Sequence, residues 1–104
     1  MTTKRLVMNF EWDENKNKNK KNIEKHGIDF NDAKEVFKDE KRVTLENDRK
    51  DFGETRWLTI GAIFDAIFSV VYTIRETTFR IISARNASRK ERKEYDKHNN
   101  QENE

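Results

Sequence analysis

Apolar residues change their spacing partway along the chain. Phe30, Ala33 and Phe37, with Val36 alongside, recur at intervals of three and four, which makes one buried stripe on a helix. From Arg56 onward the runs RWLTIGAI, AIFSVVYTIR and TFRIISAR are short, rich in β-branched and aromatic residues, and bounded by polar ones. They read as strands over 56–63, 66–75 and 78–85. Looser alternation over 7–12 and a short run over 42–46 add two more candidate strands.

Residues 14–26 are polar except for Ile23. Asp13 as a cap and Gly27 as a left-handed stop bracket a helix there, with Ile28 placed to pack back on it. A low-complexity linker is the alternative, because NKNKNKKN is poor in helix formers. Asp29 or Asn31 can cap a second helix that ends near Lys38 or Asp39. Residues 48–54 read as a polar loop with Gly53. Residues 86–99 read as a charged helix, with Ser88 and Glu91 forming a capping box and Tyr95 packing down.

The order is therefore β-α-α-β-β-β-β-α, an α+β class. The expected architecture is two N-terminal helices on one face of a four-stranded, mostly antiparallel sheet, followed by a C-terminal helix. It forms one domain over 1–104, with 1–6 and 99–104 frayed. If Glu76-Thr77 is a two-residue turn, Thr73 pairs with Arg80 and Tyr72 with Ile81. Arg75 and Arg80 then share a face, with Arg85 on the opposite one near Phe68. A one-residue change of register reverses that last relation.

Composition narrows the chemistry. The chain has 104 residues, 33% hydrophobic and 40% charged, without cysteine or proline. Disulfides, thiolate metal sites and cysteine nucleophiles are excluded. The start lacks the apolar core of a secretory signal, and Asp65 and Gly61 interrupt the longest weakly charged stretch. The reading is a protein of the cytoplasm that does not enter membranes. Residues 1–28 carry an excess of cations and residues 29–54 an excess of acids. Between 55 and 88 all four cations are arginines, Arg56, Arg75, Arg80 and Arg85. A guanidinium offers a rigid fork of donors suited to phosphate.

Several phrases carry a family resemblance. They are Phe10-Glu11-Trp12-Asp13, Asn22, Lys25-His26-Gly27, Phe30 with Ala33 and Val36-Phe37, Arg56-Trp57 with Ile60-Gly61, and Tyr72-Thr73 with Arg75. The most specific is Arg80-Ile81-Ile82-Ser83-Ala84-Arg85 followed by Ala87, Lys90-Glu91-Arg92 and Tyr95. Over roughly residues 8–95 the chain resembles the BrnT toxins of BrnT/BrnA type II toxin–antitoxin systems. The resemblance implies a RelE-like fold, a ribonuclease that lowers translation, and a BrnA-like antitoxin that neutralises it. It also implies that promoter DNA is bound only through the antitoxin complex. The chain departs from the family at Asp51-Phe52-Gly53-Glu54, where a Tyr-Gly-Glu-like phrase is frequent, and at Glu76-Thr77, where a glycine is common.

Metal-free cleavage of RNA needs a base for the ribose 2′-OH, an acid for the leaving 5′-oxygen, and cations for the charged phosphorane. A carboxylate cluster holding two magnesium ions is the competing route. Only Asp65 and Glu76 are acidic in the strand half, so the expectation is an endoribonuclease without metal or cofactor. Arg75, Arg80 and Arg85 are the candidate phosphate-stabilising residues, with Arg56 in support on the RNA. Against this, they could be ordinary strand residues paired with Glu76, Glu91 or Asp96. His26 could be an acid or base, or merely close the first helix. Tyr72 could donate a proton or stack on a base, or fill the core. Glu54 could be the base or simply solvated. Lys25, Arg89 and Lys90 could contact RNA or serve solubility. Trp12 and Trp57 read more readily as packing than as base stacking. A non-catalytic nucleic-acid-binding or partner-binding module is the alternative function.

Overall fold

The computed structural model describes residues 8–51 and 53–100. Its elements run β1 (Asn9–Glu11), α1 (Lys18–His26), α2 (Phe30–Ala33), a 3-10 helix (Lys34–Lys38), β2 (Val43–Asp51), β3 (Glu54–Ile63), β4 (Ala66–Arg75), β5 (Thr78–Asn86) and α3 (Arg89–Asn100). Residues 1–6 and 101–104, part of the expected frayed ends, lie outside the described residues, as does Phe52. Asn99 and Asn100 continue α3.

The α+β class holds, but the four-stranded sheet does not. Five strands form one mixed sheet in the order β1-β5-β4-β3-β2. The first strand pairs with the last in parallel, Asn9 with Thr78, Phe10 with Phe79 and Glu11 with Arg80. It does so because Phe10 fills a gap in the aromatic core. Its ring lies 5.1 Å from Phe37 and 5.6 Å from Phe79, and Tyr72 closes the cluster at 5.3 Å from Phe79. Each such pair contributes about 0.5–1.5 kcal/mol beyond its buried area. A three-residue strand lives on that one insertion.

The two N-terminal helices also need correction. α1 begins at Lys18, after a turn in which Lys16 N–H donates to Asp13 Oδ1 at 3.1 Å. It ends at Gly27, left-handed at φ 75, whose N–H donates to Ile23 O at 2.8 Å. The helix docks through a polar residue. Ile23 is exposed, whereas Asn22 is buried. The Asn22 amide donates to the carbonyls of Ala84 and Ile28 at 2.9 and 3.0 Å, and its oxygen accepts from Ala84 N–H at 3.0 Å. It thus continues the ladder along β5 beyond the end of β1. The second helix is capped by Asp29, which accepts from Asn31 N–H at 2.8 Å. It runs as α for only four residues and then tightens to 3-10. That turn brings Val36 down onto Gly61, where a Cβ would stand 2.8 Å from the Val36 carbonyl.

Helices cover both faces, not one. On the first face Ile28, Phe30, Ala33, Val36 and Phe37 pack on Val70, Tyr72, Ile81 and Ala84, with Trp12 and Trp57 at the margin. On the second, Leu58, Ile60, Val71 and Ala87 form a smaller core under Tyr95 of α3. The capping box forms as expected. Ser88 N–H donates to Glu91 Oε1 at 2.8 Å and Glu91 N–H to Ser88 Oγ at 3.2 Å. Tyr95 OH donates to Asp39 Oδ2 at 2.6 Å, which also accepts from Ala62 N–H. No helix among the described residues is long and apolar enough to cross a membrane.

Candidate active site

The strand pairs place the candidate side chains. Glu76-Thr77 is a two-residue turn, with Glu76 at φ 55, and Thr73 pairs with Arg80 and Tyr72 with Ile81 as expected. Then the register shifts, because Val71 pairs with Ser83 and Ile82 is the extra residue of a bulge. Arg85 consequently pairs with Ser69 and turns to the same face as Arg75 and Arg80, not the opposite one.

Sharing a face does not bring the three together. Arg85 sits beside Ser69, six residues along β4 from Arg75, or about 20 Å at strand spacing. It lies against α3, where Arg85 Nη1 and Nη2 donate to the two oxygens of Glu91 at 2.7 and 2.9 Å. Ser69 Oγ donates to the same carboxylate at 2.9 Å. The Arg85 guanidinium, acting first, and the surrounding hydrogen bonds hold the Glu91 carboxyl down at about 2.

Beyond the reach of α3 the same face is polar and partly exposed, although Thr73 itself is buried. One cross-strand row contains Thr73, Arg80 and Glu11. Extending the Trp57–Tyr72 register sets Arg56 beside Thr73 and Glu54 beside Arg75. Arg75 Nη2 donates to Glu54 Oε1 at 2.7 Å, and Arg80 lies 3.2 Å from Glu11 and 3.7 Å from Asp13. The Arg75 hydrogen bond, with Thr73 and the charge of Arg80 adding to it, holds the Glu54 carboxyl below its ordinary range. Glu54 is therefore an anion at neutral pH, and Arg75 is held more firmly protonated by it. A cleft of about 520 Å³ opens between Arg80, Glu11 and the residues that follow β1. The arrangement offers guanidinium forks and an ionised carboxylate on one accessible surface, a combination suited to a phosphodiester.

The remaining candidates lie elsewhere. Tyr72 is in the first core, with its hydroxyl 2.8 Å from Thr59 Oγ1. His26 ends α1 at the far end of the molecule, where burial and then the charges of Lys25 and Arg85 lower its pKa. These effects favour its neutral form. Lys25, Arg89 and Lys90 are exposed, Lys25 beside His26 and the other two in the first turn of α3. Sequence reasoning missed Glu11 and Asp13 as parts of this face, and Thr73 as the buried residue beside Arg80. Glu11 alternates out of phase with Phe10, which was a signal, but its partner strand is too distant in sequence to be read. The loop expected over 48–54 continues instead as strand to Asp51 and resumes at Glu54. This is what sets Glu54 in the sheet.

Comparison with curated proteins returns no match. The model of the family described as ribonuclease toxin, BrnT, of type II toxin–antitoxin system matches residues 12–91. That span contains the buried residues of both cores together with Arg56, Arg75 and Arg80, and it covers about three quarters of the sequence. The chain belongs to the BrnT family of ribonuclease toxins of type II toxin–antitoxin systems.

Proposed function

We propose that this toxin cuts RNA internally, without a metal, on the open half of the sheet. A phosphodiester displaces the carboxylates from Arg75 and Arg80 and takes their guanidinium donors. Arg56 holds a neighbouring phosphate. Glu54, released from Arg75 yet still ionised, takes the proton of the adjacent ribose 2′-OH, whose oxygen attacks phosphorus. The guanidiniums neutralise the phosphorane as charge accumulates on its oxygens. The P–O5′ bond breaks, leaving a 2′,3′-cyclic phosphate and a 5′-hydroxyl that takes its proton from water.

The observation that carries this reading is Glu54 at 2.7 Å from Arg75 on the face that also bears Arg80. The ion pair is exposed, and such pairs contribute little to stability. Exchange for phosphate therefore carries a small penalty. Growth inhibition follows from loss of transcripts in the cytoplasm. A BrnA-like antitoxin completes the system and carries the complex to promoter DNA. Membership of a ribonuclease family favours cleavage over a purely binding module.

The test is an RNA with a single 2′-deoxy nucleotide at a mapped cut, incubated in EDTA. The expected result is resistance at that position alone, with cyclic phosphate and 5′-hydroxyl ends at the other cuts. Cleavage at the deoxy position, or 5′-phosphate ends, or dependence on added magnesium, contradicts the mechanism.

A further inference from the structure

Phe64 is the most exposed large hydrophobic side chain among the described residues. It occupies the first position of the two-residue turn between β3 and β4, 98% exposed and at φ 55. An aromatic side chain in the left-handed region is strained, and glycine, asparagine or aspartate is the ordinary choice in such turns. Exposure and strain at one position gain nothing for folding. Phe64 stands on the lip of a groove of about 910 Å³, floored by Ile28, Ile63 and Phe68. Three carboxylates, Asp32, Glu35 and Asp39, line it against a single ammonium, Lys38. Lys38 is itself 2.8 Å from Glu35, and Asp39 is fixed by Tyr95 and Ala62. His26 also lies on the rim.

An acidic rim repels a polyanion, so this groove is not an extension of the RNA face. Apolar floor, aromatic lip and negative border fit a protein segment with an apolar anchor flanked by lysine or arginine. A type II toxin has one obligatory protein partner. We propose that this groove seats such a basic, apolar segment of the antitoxin, with Phe64 as the central contact. The proposal rests on family membership and not on the catalytic reading above.

The experiment uses the full chain and the antitoxin expressed from the adjacent reading frame, with affinity measured by calorimetry. Phe64→Asp, and separately the double reversal Asp32→Lys with Glu35→Lys, should each weaken binding at least tenfold. Phe64→Gly should also weaken binding while raising Tm, because it relieves the strained backbone. That opposition of signs is what a purely structural role does not produce. Unchanged affinity in all three variants overturns the proposal. So does a result in which wild type self-associates through Phe64 while antitoxin affinity is unmoved, or in which the variants lose RNA binding but keep the antitoxin. Affinity is read without reference to cleavage, so failure of the catalytic reading leaves this test intact.

Discussion

Replacing Glu91 with glutamine separates architecture from chemistry at the α3 end of the sheet. The carboxylate accepts from Arg85 Nη1 and Nη2, Ser69 Oγ and Ser88 N–H, all between 2.7 and 2.9 Å. Its pKa falls from 4.5 to about 2 on folding, which sets a ceiling of about 3 kcal/mol on the stabilisation. The Arg85 and Glu91 side chains keep 35% and 17% exposure, and screening reduces the usable part to about 1.5 kcal/mol. Thermal unfolding at pH 7 should therefore drop by roughly 6–12 °C for a domain of this size. A carboxyl with a depressed pKa stabilises fully above its unfolded value. The contribution is lost as pH falls from 4.5 toward about 2. The gap in Tm between wild type and Glu91→Gln should accordingly close across that window. RNA cleavage should persist in the variant, because Glu91 pairs with Arg85, about 20 Å along the strands from Arg75. A gap that stays constant with pH, or cleavage lost at unchanged Tm, refutes the reasoning.

Other substitutions probe the frame that holds the site. Asn22→Leu strips the ladder partner from Ala84 and leaves its buried backbone groups unsatisfied; urea unfolding should show a loss of about 2–3 kcal/mol. Gly61→Ala forces a Cβ to within 2.8 Å of the Val36 carbonyl, and calorimetry should record a loss of about 1–3 kcal/mol as the 3-10 segment shifts. Glu54→Gln should lower the cleavage rate by about 10²–10⁴ with little change in Tm, since the side chain lies at the surface.

Much of the frame was legible in sequence because it is set locally. Gly27, the Asp29 cap, the Ser88–Glu91 box and the Glu76-Thr77 turn each depend on residues within four positions of one another. The stripe of Phe30, Ala33, Val36 and Phe37 was readable from its period alone. What escaped depends on distant partners. The place of β1 is decided by Phe10 meeting Phe37 and Phe79. The docking of α1 is decided by Asn22 meeting Ala84, where an apolar residue was the natural candidate. The face of Arg85 turns on the extra residue Ile82, which no composition or period announces. The arginine-only segment pointed correctly to strands carrying guanidiniums. It could not say that a bulge and a helix would set Arg85 apart from Arg75 and Arg80.

The central claim is that Arg75 and Arg80 on the open face hold the scissile phosphate. The most direct measurement is the cleavage rate of a defined RNA in EDTA by wild type and by Arg75→Ala with Arg80→Ala, both verified as folded by circular dichroism. The account predicts cleavage by wild type and a loss of at least about 10²-fold in the double variant. Equal rates in the two proteins would contradict it.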